Sequence, residues 1–149
     1  MEENTRIIDT RPKARCFAFE LLFAKSFAAD EPADSFFAHE IDNADIEFGE
    51  YIDYIRNVFF GVCENADMLD EKIMAAAVGW SLSRLSKTSL AIMRLCVYEM
   101  MNISDAPKRV ALNEAVELAK KYDDEKASGF INGVLNSIAK SLPDRECDK

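Results

Sequence analysis

Lys87-Thr88-Ser89-Leu90-Ala91-Ile92-Met93-Arg94-Leu95-Cys96-Val97-Tyr98-Glu99-Met100-Met101-Asn102 is the segment around which the rest of the chain is organised. Placed on a helix, its apolar residues occupy nearly every angle, with Arg94 and Glu99 the only charged interruptions after Lys87. A helix apolar all round belongs inside a larger helical packing, so other helices must surround residues 90–101. The stretch is shorter than the roughly 20 residues needed to cross a bilayer, and its two internal charges argue further against a span.

The flanking sequence supplies those other helices. Upstream, Thr10 is a plausible N-cap with Pro12 in the first turn, and the helix it opens runs to about Ala28. Its core stripe is Ala14, Phe17, Ala18, Leu21 and Leu22. Asp34 or Ser35 caps a short second helix with Phe36, Phe37 and Ile41 inward, and Asn43 to Glu47 form a polar link. A third helix from about Phe48 to Cys63 turns Tyr51, Ile52, Ile55, Val58, Phe59 and Val62 to the core. Asn65 opens a fourth, which Gly79-Trp80 ends, and Ser86 caps the central helix. Downstream, Pro107 opens a sixth helix with Ala111, Ala115 and Leu118 inward and Lys108, Arg109, Lys120 and Lys121 outward. Phe130, Ile131, Val134, Leu135 and Ile138 line the last, which frays after Pro143. The expectation is one all-α, strand-free, seven-helix domain over residues 1–149, with residues 1–9 and 142–149 frayed. A chain of 149 residues is long enough to bury such a core without a metal or disulfide.

Charge is segregated along the chain. The net charge is -9, yet residues 30–71 hold thirteen Asp/Glu against one Lys/Arg, which leaves the two flanks close to neutral. A basic face elsewhere is therefore compatible with an acidic protein. Cys16, Cys63, Cys96 and Cys147 form no CxxC pair and read as reduced thiols of a cytoplasmic protein. The acidic N-terminus lacks the apolar core of a signal peptide. With His39 the only histidine, the usual metal sets and nucleophile–histidine dyads cannot assemble, and no phosphate-loop or hydrolase motif occurs. The expectation is no enzyme, no metal and no cofactor.

One stripe carries a candidate function. Arg11, Arg15, Phe19 and Phe23 recur every fourth residue, a ladder that begins basic and ends aromatic. Exposed guanidinium and ring faces suit single-stranded RNA, charge meeting phosphates and rings meeting unstacked bases. On pattern alone, two solvated arginines leading into two core phenylalanines is the simpler reading.

Resemblance changes that balance. Arg11-Pro12-Lys13-Ala14-Arg15-Cys16-Phe17-Ala18-Phe19-Glu20-Leu21-Leu22-Phe23 resembles the R-x-x-A-R-x-x-A-x-Q-x-L-Y pattern of the NusB family of bacterial transcription antitermination factors. Trp80 to Leu85, Ile92 to Leu95, Tyr98-Glu99, Val110 to Lys120 and Phe130 to Leu135 are similar to further family segments, in family order and spacing. The resemblance implies seven helices in two packed subdomains around the buried central helix. It implies binding of the boxA element of nascent RNA together with NusE, a small-subunit ribosomal protein, so that RNA polymerase reads through terminators in ribosomal RNA operons. It also implies that Arg11, Lys13 and Arg15 belong to an arginine-rich RNA-binding start of the first helix, with Phe23, Tyr122 and Phe130 as aromatics near the RNA path.

Glu20 stands where the family has Gln, Phe23 where it has Tyr, and Lys87-Thr88-Ser89-Leu90 where it commonly has V-D-R-A, near the NusE contact. Two other readings stay open. One is the NusB-like domain that precedes certain RNA cytosine methyltransferases, against which the chain length argues. The other is a helical protein-interaction module without RNA. The acidic segment 30–71 either attracts a basic ribosomal protein, repels RNA from the wrong face, or is only solvated surface.

Overall fold

The computed structural model describes residues 5–149. Among them the chain forms seven α-helices and divides into two compact units, Met1–Cys63 and Glu64–Lys149. Residues 1–4, part of the expected frayed lead, lie outside the described residues.

The N-terminal unit holds α1 (Arg11–Lys25), α2 (Ala33–Asn43) and most of α3 (Ile52–Glu64). Thr10 caps α1 as expected, its Oγ1 accepting from Lys13 N at 3.3 Å. The stripe Ala14, Phe17, Ala18, Leu21 and Leu22 is buried throughout. It shares the unit with Phe36 and Phe37 of α2 and with Ile55, Val58 and Phe59 of α3, and Phe59 lies 5.9 Å from Phe36 and 5.3 Å from Phe37, ring centre to ring centre. Helix α1 stops at Lys25, short of Ala28, where the Lys25 amino group turns back to donate to Ala28 O at 2.9 Å. Pro32, rather than Asp34 or Ser35, occupies the cap position of α2.

The strand-free expectation is corrected here. Arg6–Ile7 (β1) pairs in parallel with Ile46–Glu47 (β2), held by Arg6 N to Asp45 O and Ile8 N to Glu47 O at 3.3 and 2.9 Å. Ile8, only 2% exposed, anchors the lead segment there. A two-residue ladder is too short to carry the alternating pattern by which strands are read.

The C-terminal unit is organised around α5 (Lys87–Asn102), which packs against α4 (Ala66–Ala76), α6 (Lys108–Tyr122) and α7 (Glu125–Ser141). Eleven of the sixteen α5 residues are buried, Leu95 at 1% exposure among them, as a helix apolar at all angles requires. Ser86 Oγ caps α5 by accepting from Ser89 N at 3.0 Å. Arg94 is met by Asp70 of α4 through two parallel bonds of 2.6 and 2.8 Å, a bidentate pair that fixes the helix register.

Two expectations fail in this unit, and they fail together. Lys108 is buried at 8% exposure instead of pointing outward, and residues 142–149 are tied down instead of frayed. Lys108 Nζ donates to Ala139 O and Leu142 O at 3.2 Å and pairs with Asp144 at 3.1 Å. Asp148 accepts from Lys108 N at 2.6 Å and from Arg145 N at 2.9 Å, while Arg145 donates to Ile103 O and Ala106 O. Backbone N–H groups first, then the Arg145 guanidinium, hold the Asp148 carboxyl down to about 2. The returning tail covers a position that local periodicity assigns to solvent.

Candidate nucleic-acid interface

Four of the expected RNA-binding residues lie on α1 in the N-terminal unit. Helix dipoles leave partial positive charge at such a start, and no acid sits in the first turn. Lys13 is exposed, its Nζ 2.7 Å from Asp9 Oδ1, and that bond and charge hold the Asp9 carboxyl below its ordinary value. Arg11 is half-buried with its guanidinium carbon 4.2 Å from the Tyr54 ring centre. Arg15, one turn on, lies 5.9 Å from the same ring and is only 5% exposed.

An exposed ladder is therefore not what α1 presents. Arg15 and Phe19 are buried, and only Arg11 and Phe23 of the ladder reach solvent in part. Phe23 stacks on Phe19 at 6.0 Å and meets Phe27 edge-on at 5.1 Å. Phe27, 66% exposed, is an aromatic that sequence reasoning misses, although it continues the four-residue spacing one rung past Phe23. Glu20, which stands in place of the family's Gln, is met by Arg6 at 3.2 Å, so its added charge is balanced locally.

Tyr122 and Phe130 belong to the C-terminal unit, both half-buried. Tyr122 ends α6, with Lys121 Nζ 5.2 Å from its ring centre. Phe130 packs against Trp80 at 5.2 Å, and Arg84 lies 6.0 Å from the Trp80 ring. Together they line a half-open hollow of about 290 Å³ with Leu85, Ser86 and Lys126. The sequence marks Trp80 as a helix stop and as the head of one family-like segment, but not as the partner of Phe130. Its being the sole tryptophan, 48% exposed beside Gly79, makes it more than that.

Among the described residues no group of three or more His, Cys, Asp or Glu is placed to hold a metal, and no helix is long and apolar enough to cross a membrane. What the surface offers is docking: cations backed by aromatic faces, and rings that accept a flat partner. The fold defines an essentially all-α protein of two compact units.

A model of the NusB family matches residues 12–140, and the chain belongs to that family. It is 42% identical over 131 residues to the transcription antitermination protein NusB of Clostridium botulinum (strain Alaska E43 / Type E3), covering 87% of this chain and 98% of the relative. Among solved structures it is similar to T. maritima NusB, with a TM-score of 0.80 at 31% identity over 89% of this chain and 92% of the other. It is also similar to a crystal structure of antitermination factors NusB and NusE in complex with dsRNA, with a TM-score of 0.79 at 26% identity over 89% of this chain and 97% of that one. The seven-helix expectation is borne out by the structure, the two-residue β1–β2 ladder apart, and the fold matches that of NusB structures.

Proposed function

We propose that this chain is an RNA-binding transcription antitermination factor. In this reading it binds boxA-type nascent RNA jointly with NusE, as part of an antitermination complex on RNA polymerase that promotes read-through of ribosomal RNA operons. The observation that carries the reading is the 42% identity, along nearly the whole of the relative, to a transcription antitermination protein. The NusB–NusE–dsRNA neighbour supports the two partners, and the cationic start of α1 supplies the chemistry for RNA.

In mechanism this is recruitment rather than bond-making. Arg11 and Lys13 neutralise phosphates and release counterions, which gives affinity without sequence. Arg15, buried beside Tyr54, supports that face from within. Phe23, Tyr122 and Phe130 offer ring surface to bases. The protein partner adds a second attachment, so that two weak binary contacts make one firm ternary complex.

A filter-binding titration of the full chain against boxA-type RNA, single-stranded and duplex, with and without NusE, tests this. Binding that tightens when NusE is added, and that prefers boxA to a scrambled sequence, is expected. Absence of RNA binding under both conditions leaves the plain helical interaction module as the reading.

A further inference from the structure

We propose that Tyr54 is a positioning residue for RNA binding, an aromatic platform on α3 that holds the Arg11 guanidinium ready at the start of α1. The inference rests on the RNA reading above and names a group that neither the basic motif nor its aromatic ladder contains.

The geometry is that of a stacked cation. Arg11 Cζ stands 4.2 Å from the Tyr54 ring centre, close to van der Waals contact of the guanidinium with the ring. A ring under a guanidinium orients the cation without taking its charge away, so the charge still acts on a phosphate brought to the start of α1. Tyr54 suits the role because it is itself packed, 8% exposed on a helix whose neighbouring Ile55 and Val58 are fully buried.

Arg15 gives the arrangement its purpose. It lies one turn beyond Arg11, 5.9 Å from the same ring. Like charges at this spacing repel, which tends to spread the two side chains apart. The negative ring face attracts both guanidinium groups and, at the shorter distance, helps fix where the outer one stays. Lys13, between them in sequence, is held by Asp9 through an exposed ion pair that salt weakens. The ring contact leaves Arg11 the better-ordered cation of the two, so less side-chain freedom is lost when RNA arrives.

The test uses the full chain and two probes, a single-stranded boxA-type oligonucleotide and its scrambled counterpart. Tyr54→Leu should weaken binding to both by about three- to tenfold, the range of a partly desolvated cation–π contact. Tyr54→Phe should bind as the parent does. Pentafluorophenylalanine at position 54, which keeps the ring's shape but inverts its quadrupole, should weaken binding as Leu does. In an Arg11→Ala background Tyr54→Leu should cost nothing further.

If Tyr54→Leu does not fold, the Phe and pentafluorophenylalanine pair decides alone, because both preserve the packed volume. Parent-like binding with the inverted ring overturns the proposal, as does a Tyr54→Leu loss that simply adds to that of Arg11→Ala. The underlying reading fails separately: if Arg11→Ala alone leaves affinity unchanged, Arg11 does not touch RNA and the platform has nothing to position. A loss with Arg11→Ala but none with the inverted ring sinks the platform only.

Discussion

Lys13 and Lys108 are the same residue type at the start of two helices, and the molecule uses them in opposite ways. Lys13 keeps 56% of its side chain exposed and meets one exposed carboxylate, so its charge remains available to a partner. Lys108 keeps 10% exposed and donates to the carbonyls that end α7, closing the returning tail onto α6. The difference lies in what the donors find nearby. Where a chain segment returns over a lysine, its positive charge satisfies carbonyls that lack helix partners. Where none does, the charge faces solvent, where the proposed function uses it as a binding group. Arg11 and Arg145 repeat the contrast, one against a ring and the other across the carbonyls of Ile103 and Ala106.

Apolar packing sets the scale against which both uses are judged. Leu95→Ala, in the middle of α5, should destabilise the protein by about 2–5 kcal/mol in a denaturant melt, through lost transfer energy and a cavity. A loss near zero would mean α5 is not the core.

Lys108→Ala comes next, at about 2–3 kcal/mol, because carbonyls and a carboxylate lose a charged donor at a covered site. RNA affinity measured on the folded fraction should stay at the parent value. A variant that melts normally but binds RNA poorly would erase the distinction between the two lysines.

Asp148→Asn probes the same closure through pH. The folded carboxyl titrates at about 2 against an ordinary 3.8, so its contribution is fully present above about pH 4 and is lost as pH falls from there towards 2. The variant should be less stable than the parent near neutrality, and the gap should narrow as the pH is lowered through that window. A gap that stays constant down to pH 2 would show that the carboxylate's charge is not what ties the tail.

Lys13→Ala should give the smallest change in stability, within about 0.5 kcal/mol, since exposed ion pairs contribute little. A larger loss by thermal melt would place Lys13 with Lys108 as a structural group.

What is legible in the sequence follows from the range of each interaction. The buried α5, the caps Thr10 and Ser86, and the inward stripe of α1 are readable because they depend on neighbours within one or two turns. Lys108, Arg15 and the β1–β2 ladder escape such a reading because their partners are distant in sequence: the tail at 144–148, Tyr54 on α3, and the segment at 45–47. Helical periodicity assigns a charged residue to solvent by default, and only tertiary packing overrides it. The candidate site divides the same way. Its basic motif is local and stands out in the sequence; its aromatic support, Tyr54, and the Trp80 partner of Phe130 come from elsewhere in the chain and do not.

If the cations at the start of α1 meet RNA phosphate, the salt dependence of binding must report it. With Arg11 and Lys13 both changed to Ala, the protein should still fold, with stability lowered by about 0.5–1.5 kcal/mol for the lost Arg11–Tyr54 contact. The slope of log K against log salt should shrink by about 0.7 for each phosphate no longer neutralised on a single strand, or about 0.9 on a duplex. The weakening should appear for boxA and scrambled RNA alike. A folded double variant with unchanged affinity and unchanged slope would contradict phosphate binding by these two cations at the start of α1.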